Sequence, residues 1–156
     1  MRWAMQDRGA ISEQEAIDHI CDRVPIRLHE TVRDFICRQN RAIIPVSGME
    51  GLLCSLKSAG KKLYLLSNTS KAFHRFRAGI PGIELFDDTL ISADVGLVKP
   101  DPTILRLACE QLGIKPHESA FIDDAPINAE AAQYAGMRAY VFHGDVDELG
   151  KWLTEK

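Results

Sequence analysis

The chain has 156 residues, 46% of them hydrophobic and 26% charged, and a formal net charge of −3 at pH 7. That length suits one domain with a sizeable core, while the mild negative charge leaves no basic surplus for a nucleic-acid partner. No apolar run reaches the ~18 residues of a membrane span, and the N-terminus carries no basic-then-apolar leader.

The first fifty residues read as helical. Ser12-Glu13-Gln14-Glu15 is a capping box, followed at helical spacing by Ile17, Ile20, Cys21 and Val24. Pro25 interrupts, and a second helix is expected to carry Leu28, Val32, Phe35 and Ile36 on one apolar face. Arg23, Arg27, Arg33, Arg38 and Arg41 form a basic stripe beside it, interleaved with Asp22, Glu30 and Asp34, so an ion-paired, solvated face is expected there. His19 and His29 have no ligand-type partner at helical spacing and read as surface or packing residues. Cys21, Cys37, Cys54 and Cys109 are scattered with no Cys-x-x-Cys pair. They are expected as buried thiols of a cytoplasmic protein rather than disulfides or zinc ligands.

After Pro45 the rhythm changes. Leu52, Leu53 and Leu56 mark a helix stopped at Gly60 by a left-handed cap. Leu63 to Leu66 is a short strand running into Ser67-Asn68-Thr69. A helix from about Lys71 to Arg77 follows, then a turn around Gly79 to Gly82, and a strand from Asp88 to Ser92. Asp101-Pro102 opens the next helix with its cap and first-turn proline, and Gly113 closes it. The Phe121 strand, a helix closed by Gly136, a strand from Ala139 to Phe142 and a last helix capped by Asp145 complete the chain. Strands alternating with helices predict an α/β fold, a doubly wound parallel sheet with crossover helices.

Ligands of such a sheet sit outside the carboxyl ends of its strands. Three polar clusters fall there: Ser67-Asn68, where a hydroxyl and an amide meet the N–H groups of a following helix; Lys99, in a loop stiffened by Pro100 and Pro102; and Asp123-Asp124. The acid pair reads either as a seat for Mg²⁺, which takes one or two carboxylates with water and phosphate, or as a helix-capping Asp beside a solvated neighbour. Ser67 alone would be a turn residue and Lys99 alone a surface lysine. In this order and at one edge, the three form a phosphate-plus-Mg²⁺ constellation.

Leu65-Leu66-Ser67-Asn68, the run from Ser92 to Pro102 and Phe121-Ile122-Asp123-Asp124 with Asn128 resemble the second, third and fourth motifs of the haloacid dehalogenase superfamily, most closely its phosphatase-like branch with a small helical cap. The resemblance implies a cap over residues 1–45 and an α/β core over residues 46–156. It further implies phosphate binding by Ser67, Asn68 and Lys99, charge neutralisation by Lys99, a Mg²⁺ ligand at Asp124 with Asp123 beside it, and a small phosphorylated metabolite as substrate.

One part of the family pattern is missing. Its nucleophile lies in an Asp-x-Asp motif at the end of a strand upstream of the cap, whereas Asp7 follows no apolar strand and has no second Asp two residues on. The first sheet strand and the attacking carboxylate are therefore expected to be absent, which predicts a chain inactive alone. The family places that strand between the Leu63 and Phe121 strands. Its loss would leave two facing unpaired edges, so homo-oligomerisation or strand sharing is expected. The competing function is a non-catalytic module that binds phosphate and Mg²⁺ or a partner. A phosphoacceptor receiver is disfavoured because its acid pair comes first in the chain and its Lys last.

Overall fold

The computed structural model describes residues 3–39 and 43–155, with Trp3, Arg38 and Gln39 placed through their backbone alone. Three helices come first: α1 (Trp3–Asp7), α2 (Glu13–Cys21) and α3 (His29–Gln39), the last entered through a 3₁₀ turn at Ile26–Leu28. The capping box is formed as expected. Ser12 Oγ accepts from Glu15 N at 3.1 Å, and Glu15 Oε2 accepts from Ser12 N at 2.7 Å. Ile17, Cys21 and Ile36 make the small core between α2 and α3, flanked by Ile20 and Val32.

Two expectations fail in this part. Phe35 is 61% exposed and Leu28 40% exposed: Ile36 and Val32 fill the core between α2 and α3, and the adjacent Phe35 is left outside it. The buried-thiol expectation holds for Cys21 alone. Cys37 and Cys54 are exposed and Cys109 is half-buried, all four as free thiols, since Cys37 and Cys54 lie on the outer sides of short amphipathic helices. Of the basic stripe, Arg23 donates to the His19 carbonyl at 2.9 Å, and the Arg38 side chain and Arg41 lie outside the described residues. His29 Nε2 lies 3.2 Å from the Val24 carbonyl, a local packing role.

The second part alternates as predicted: α4 (Met49–Ser58), β1 (Tyr64–Ser67), α5 (Phe73–Phe76), β2 (Asp88–Ile91), α6 (Ser92–Val95), α7 (Pro102–Leu112), β3 (Ala120–Asp123), α8 (Pro126–Tyr134), β4 (Arg138–Val141) and α9 (Val146–Thr154). Asp101 caps α7 by accepting from Thr103 N at 2.8 Å, with Pro102 in the first turn. Asp145 caps α9 through Glu148 N at 2.9 Å. Gly113 ends α7 at φ 64°, a left-handed value that side chains resist.

All strand pairing is parallel, in two separate ribbons. β1 lies against β2 with Tyr64 opposite Asp88 and Ser67 opposite Ile91. β3 lies against β4 with Ala120 opposite Arg138 and Asp123 opposite Val141. Among the described residues no strand pairs with the other edge of β1 or of β3. One core unites the ribbons: Leu90, Ile104, Leu105, Ala108 and Ala132 pack with Leu66 of β1, Phe121 of β3 and Ala139 of β4, so α7 and α8 cover a face common to both. Alternation along β1 sends Leu65 the other way, into a cluster with Phe73, Ile91 and Ala93. Strands of a fully covered parallel sheet are buried. Here β1 is half-buried along its whole length and Ile122 of β3 is 37% exposed.

Gly9 joins the helical part to the core. It has φ 65°, and a Cβ there would collide with the Ala93 carbonyl of α6. Replacing it (Gly9→Ala) is expected to cost about 2 kcal/mol, combining a left-handed alanine with a forced separation of α1 from α6. A change in urea midpoint below a quarter of that would show that the contact is not a fixed joint.

Candidate phosphate and metal site at the strand ends

Lys99 sits where the two ribbons converge. Its Nζ donates to the Leu66 carbonyl of β1 at 2.9 Å and to Asp123 Oδ2 of β3 at 2.7 Å. The Leu66 carbonyl is thus satisfied by an ammonium group. Both charged side chains are withdrawn from water, 11% exposed for Lys99 and 6% for Asp123, and the ammonium also lies 5.6 Å from the centroid of the Phe121 ring.

The loop that carries Lys99 is clamped by Asn68. Its Oδ1 accepts from Lys99 N at 2.8 Å and its Nδ2 donates to the Lys99 carbonyl at 2.9 Å. Sequence reasoning placed Asn68 on phosphate; the contacts seen here are those of a clamp. Ser67, the last residue of β1, is half-buried, and its hydroxyl makes no hydrogen bond among the described residues. The helix expected from about Lys71 starts at Phe73, after a turn in which Ser70 Oγ accepts from Ala72 N at 3.3 Å.

Asp123 and Asp124 differ in burial at the end of β3, the first buried and the second exposed. Asp123 shares the inner side of β3 with Phe121. Besides Lys99, it accepts at Oδ1 from Asn128 Nδ2 and from Ala125 N, both at 2.9 Å. Burial pushes its carboxyl up, but Lys99, Asn128 and the Ala125 amide together outweigh burial and hold it below the usual carboxylate range. Asp124 is exposed and without a hydrogen-bond or ion-pair partner among the described residues. An acid with no partner beside a fixed, ionised one suits Mg²⁺, which takes one or two carboxylates and fills its octahedron with water and phosphate oxygen. Among the described residues no three His, Cys, Asp or Glu side chains converge as ligands.

Two supporting residues had no role from sequence. Ser92 is fully buried, and its Oγ accepts from Thr69 N at 2.9 Å and donates to the Thr69 carbonyl at 3.2 Å, fixing the loop after β1 from below. Asn128 orients Asp123. Both lie inside the motifs singled out above, and a polar residue adjoining a strand end within such a motif was the available signal. Asp7 is half-buried, and burial raises its carboxyl above the ordinary range.

Parallel strands under α7 and α8, with a lysine, a free hydroxyl and an acid pair at their carboxyl ends, define an α/β protein with its candidate site at a strand edge. The family model for haloacid dehalogenase-like hydrolases matches residues 4–136, and the chain belongs to that family. It is 30% identical over 126 residues to the (S)-2-haloacid dehalogenase 2 of Pseudomonas sp. (strain CBS-3), covering 80% of this chain and 55% of that protein. It is 32% identical over 117 residues to the phosphoserine phosphatase of Thermus thermophilus, covering 74% of this chain and 47% of that one. The chain thus spans about half the length of these curated relatives. A haloacid dehalogenase family enzyme of Bacteroides thetaiotaomicron, solved with magnesium and inorganic phosphate, superposes with a TM-score of 0.74 at 27% identity, over 93% of this chain and 75% of that one.

Proposed function

We propose that this chain is the phosphate- and cation-holding part of a Mg²⁺-dependent phosphatase that acts on a small phosphorylated metabolite. The observation that carries this is the Lys99 ammonium bridging the ends of β1 and β3 at Leu66 and Asp123, the chain neighbours of Ser67 and Asp124. Ser67 and Lys99 would bind the phosphoryl oxygens, Lys99 lowering their charge as Asp123 holds it in place. Asp124, with Asp123 alongside, would hold Mg²⁺, which neutralises developing charge on the transferring group. The phosphatase relative and the magnesium–phosphate neighbour support both choices.

The attacking carboxylate belongs, in this proposal, to a strand that lies between β1 and β3 and is not among these 156 residues. The unpaired edges and half-exposed β1 support it, and without that strand the chain is catalytically silent and prone to share strands with another copy. Residues 1–45 act as the cap. Four free thiols, two of them exposed, fit a reducing cytoplasmic setting, and no helix among the described residues is long and apolar enough to cross a membrane.

The test compares the chain as given with a version extended by an N-terminal strand ending in Asp-x-Asp, against a panel of phosphate monoesters and one 2-haloacid. Phosphate release that requires both Mg²⁺ and the extension is the expected result. Halide release without phosphate release would move the assignment to the dehalogenase branch, and equal turnover by both chains would remove the nucleophile argument.

A further inference from the structure

A cavity of about 360 Å³ lies between the loop joining α1 to α2 and the loop after β1, away from Asp123 and Asp124. Gln6 of α1 lines it and is 5% exposed. Its side-chain amide has no hydrogen-bond partner among the described residues. A buried amide left without partners is costly, so native structures rarely keep one without a use. Lys71, on the opposite wall, has an exposed ammonium with no ion pair among the described residues.

The acids of the cavity are already committed. Glu13 Oε2 accepts from Arg75 Nη2 at 2.6 Å. Glu15 is tied into the Ser12 capping box, whose backbone hydrogen bond, before any other influence, keeps its carboxyl below the ordinary range. Beside the Arg75 guanidinium, already paired with Glu13, the groups with donors to spare include the Gln6 amide NH₂ and the Lys71 ammonium. Ala10, Ile11 and Ala72 supply apolar wall between them. One positive charge, a neutral amide and an apolar wall match a singly charged carboxylate on a short hydrocarbon body. A dianionic phosphate fits less well beside the Glu13 and Glu15 side chains, acceptors themselves.

We propose that this cavity is a binding site for a small carboxylate with an apolar body, its oxygens held by Gln6 Nε2 and Lys71 Nζ. The site shares the Ser67-to-Lys71 loop with the strand-end cluster, yet its occupancy does not require that the cluster bind phosphate.

The probe is isovalerate, with its uncharged amide isovaleramide as control, titrated into the full chain while NMR follows the Gln6 side-chain amide. Saturable shifts with isovalerate in the millimolar range are expected. Affinity should be about tenfold weaker for isovaleramide and for Lys71→Met, the worth of one charge-assisted hydrogen bond. Gln6→Leu should abolish binding without lowering the melting temperature, since it removes an unpaired amide. Unmoved Gln6 resonances, equal affinity for acid and amide, or an unaffected Lys71→Met would each overturn the site. Lys71 is exposed, so its variant keeps the test decisive even if Gln6→Leu fails to fold. Resonances of Ser67 and Lys99 in the same spectra report the strand-end cluster separately, so failure at one site is not mistaken for failure at the other.

Discussion

Replacing Lys99 with methionine is expected to destabilise the protein by about 3 kcal/mol at neutral pH, the low end for breaking a buried ion pair by removing one partner. The low end applies because Asn128 and the Ala125 amide still donate to Asp123. Part of the loss comes from the Leu66 carbonyl, which gives up its Nζ donor. The pH dependence separates the charge from the packing. In the parent, the Asp123 carboxyl lies below its ordinary range. Its contribution is therefore fully present above the unfolded value of about 3.9 and lost only as pH falls through the depressed folded value. In Lys99→Met the ammonium no longer opposes burial, so the carboxyl rises. The variant then regains stability by taking up a proton as pH falls from neutrality, and its deficit narrows. Urea midpoints at pH 7 and pH 4.5 measure this. Adding Asp123→Asn to the variant should recover stability at pH 7. A deficit under 1 kcal/mol that does not change with pH would mean that the pair is incidental.

The largest effect is expected on catalysis. Supplying a strand that ends in Asp-x-Asp should raise Mg²⁺-dependent phosphate release by at least about 10⁴-fold over the 156-residue chain, on the scale seen when a nucleophile is removed from an otherwise intact site. Two effects are combined in that gain, and one variant divides them. The same extension with Asn-x-Asn should raise the melting temperature as much as the acidic one does, by pairing the free edges of β1 and β3, yet give no turnover. Slower amide exchange at Leu65 and Phe121 in both extended forms would locate the added strand between the ribbons. If the melting temperature stays put, the strand docks elsewhere or not at all.

How much of this was legible beforehand differs by level. The strands were found to within a residue because each is a short apolar run with polar or glycine punctuation at both ends, and the caps at Ser12, Asp101 and Asp145 follow from single side chains. The outward turn of Phe35 was not legible. Helical spacing ranks Phe35 and Ile36 alike, and the choice between them depends on which neighbour α3 meets. At the site, sequence order brought Ser67, Lys99 and Asp123-Asp124 to one edge. The burial of Asp123 follows from strand alternation, which places it on the side of half-buried Phe121, while Asp124 lies past the end of the strand and is exposed. The double clamp of Asn68 on the Lys99 backbone and the Ser92 bond to Thr69 depend on loop paths that no local pattern encodes. The same holds for Gln6, a polar residue in a five-residue helix whose burial comes entirely from the packing of other elements against it.

The central claim is that Ser67, Lys99 and Asp124 form one pocket for an anion and a cation. Titrating the chain with inorganic phosphate in the presence of Mg²⁺, and following backbone amides by NMR, tests it directly. Saturable shifts at Ser67, Lys99 and Asp124 that depend on both ions and disappear in Lys99→Met are predicted. Phosphate that leaves Ser67 and Lys99 unmoved, with Mg²⁺ perturbing only scattered surface acids, would contradict it.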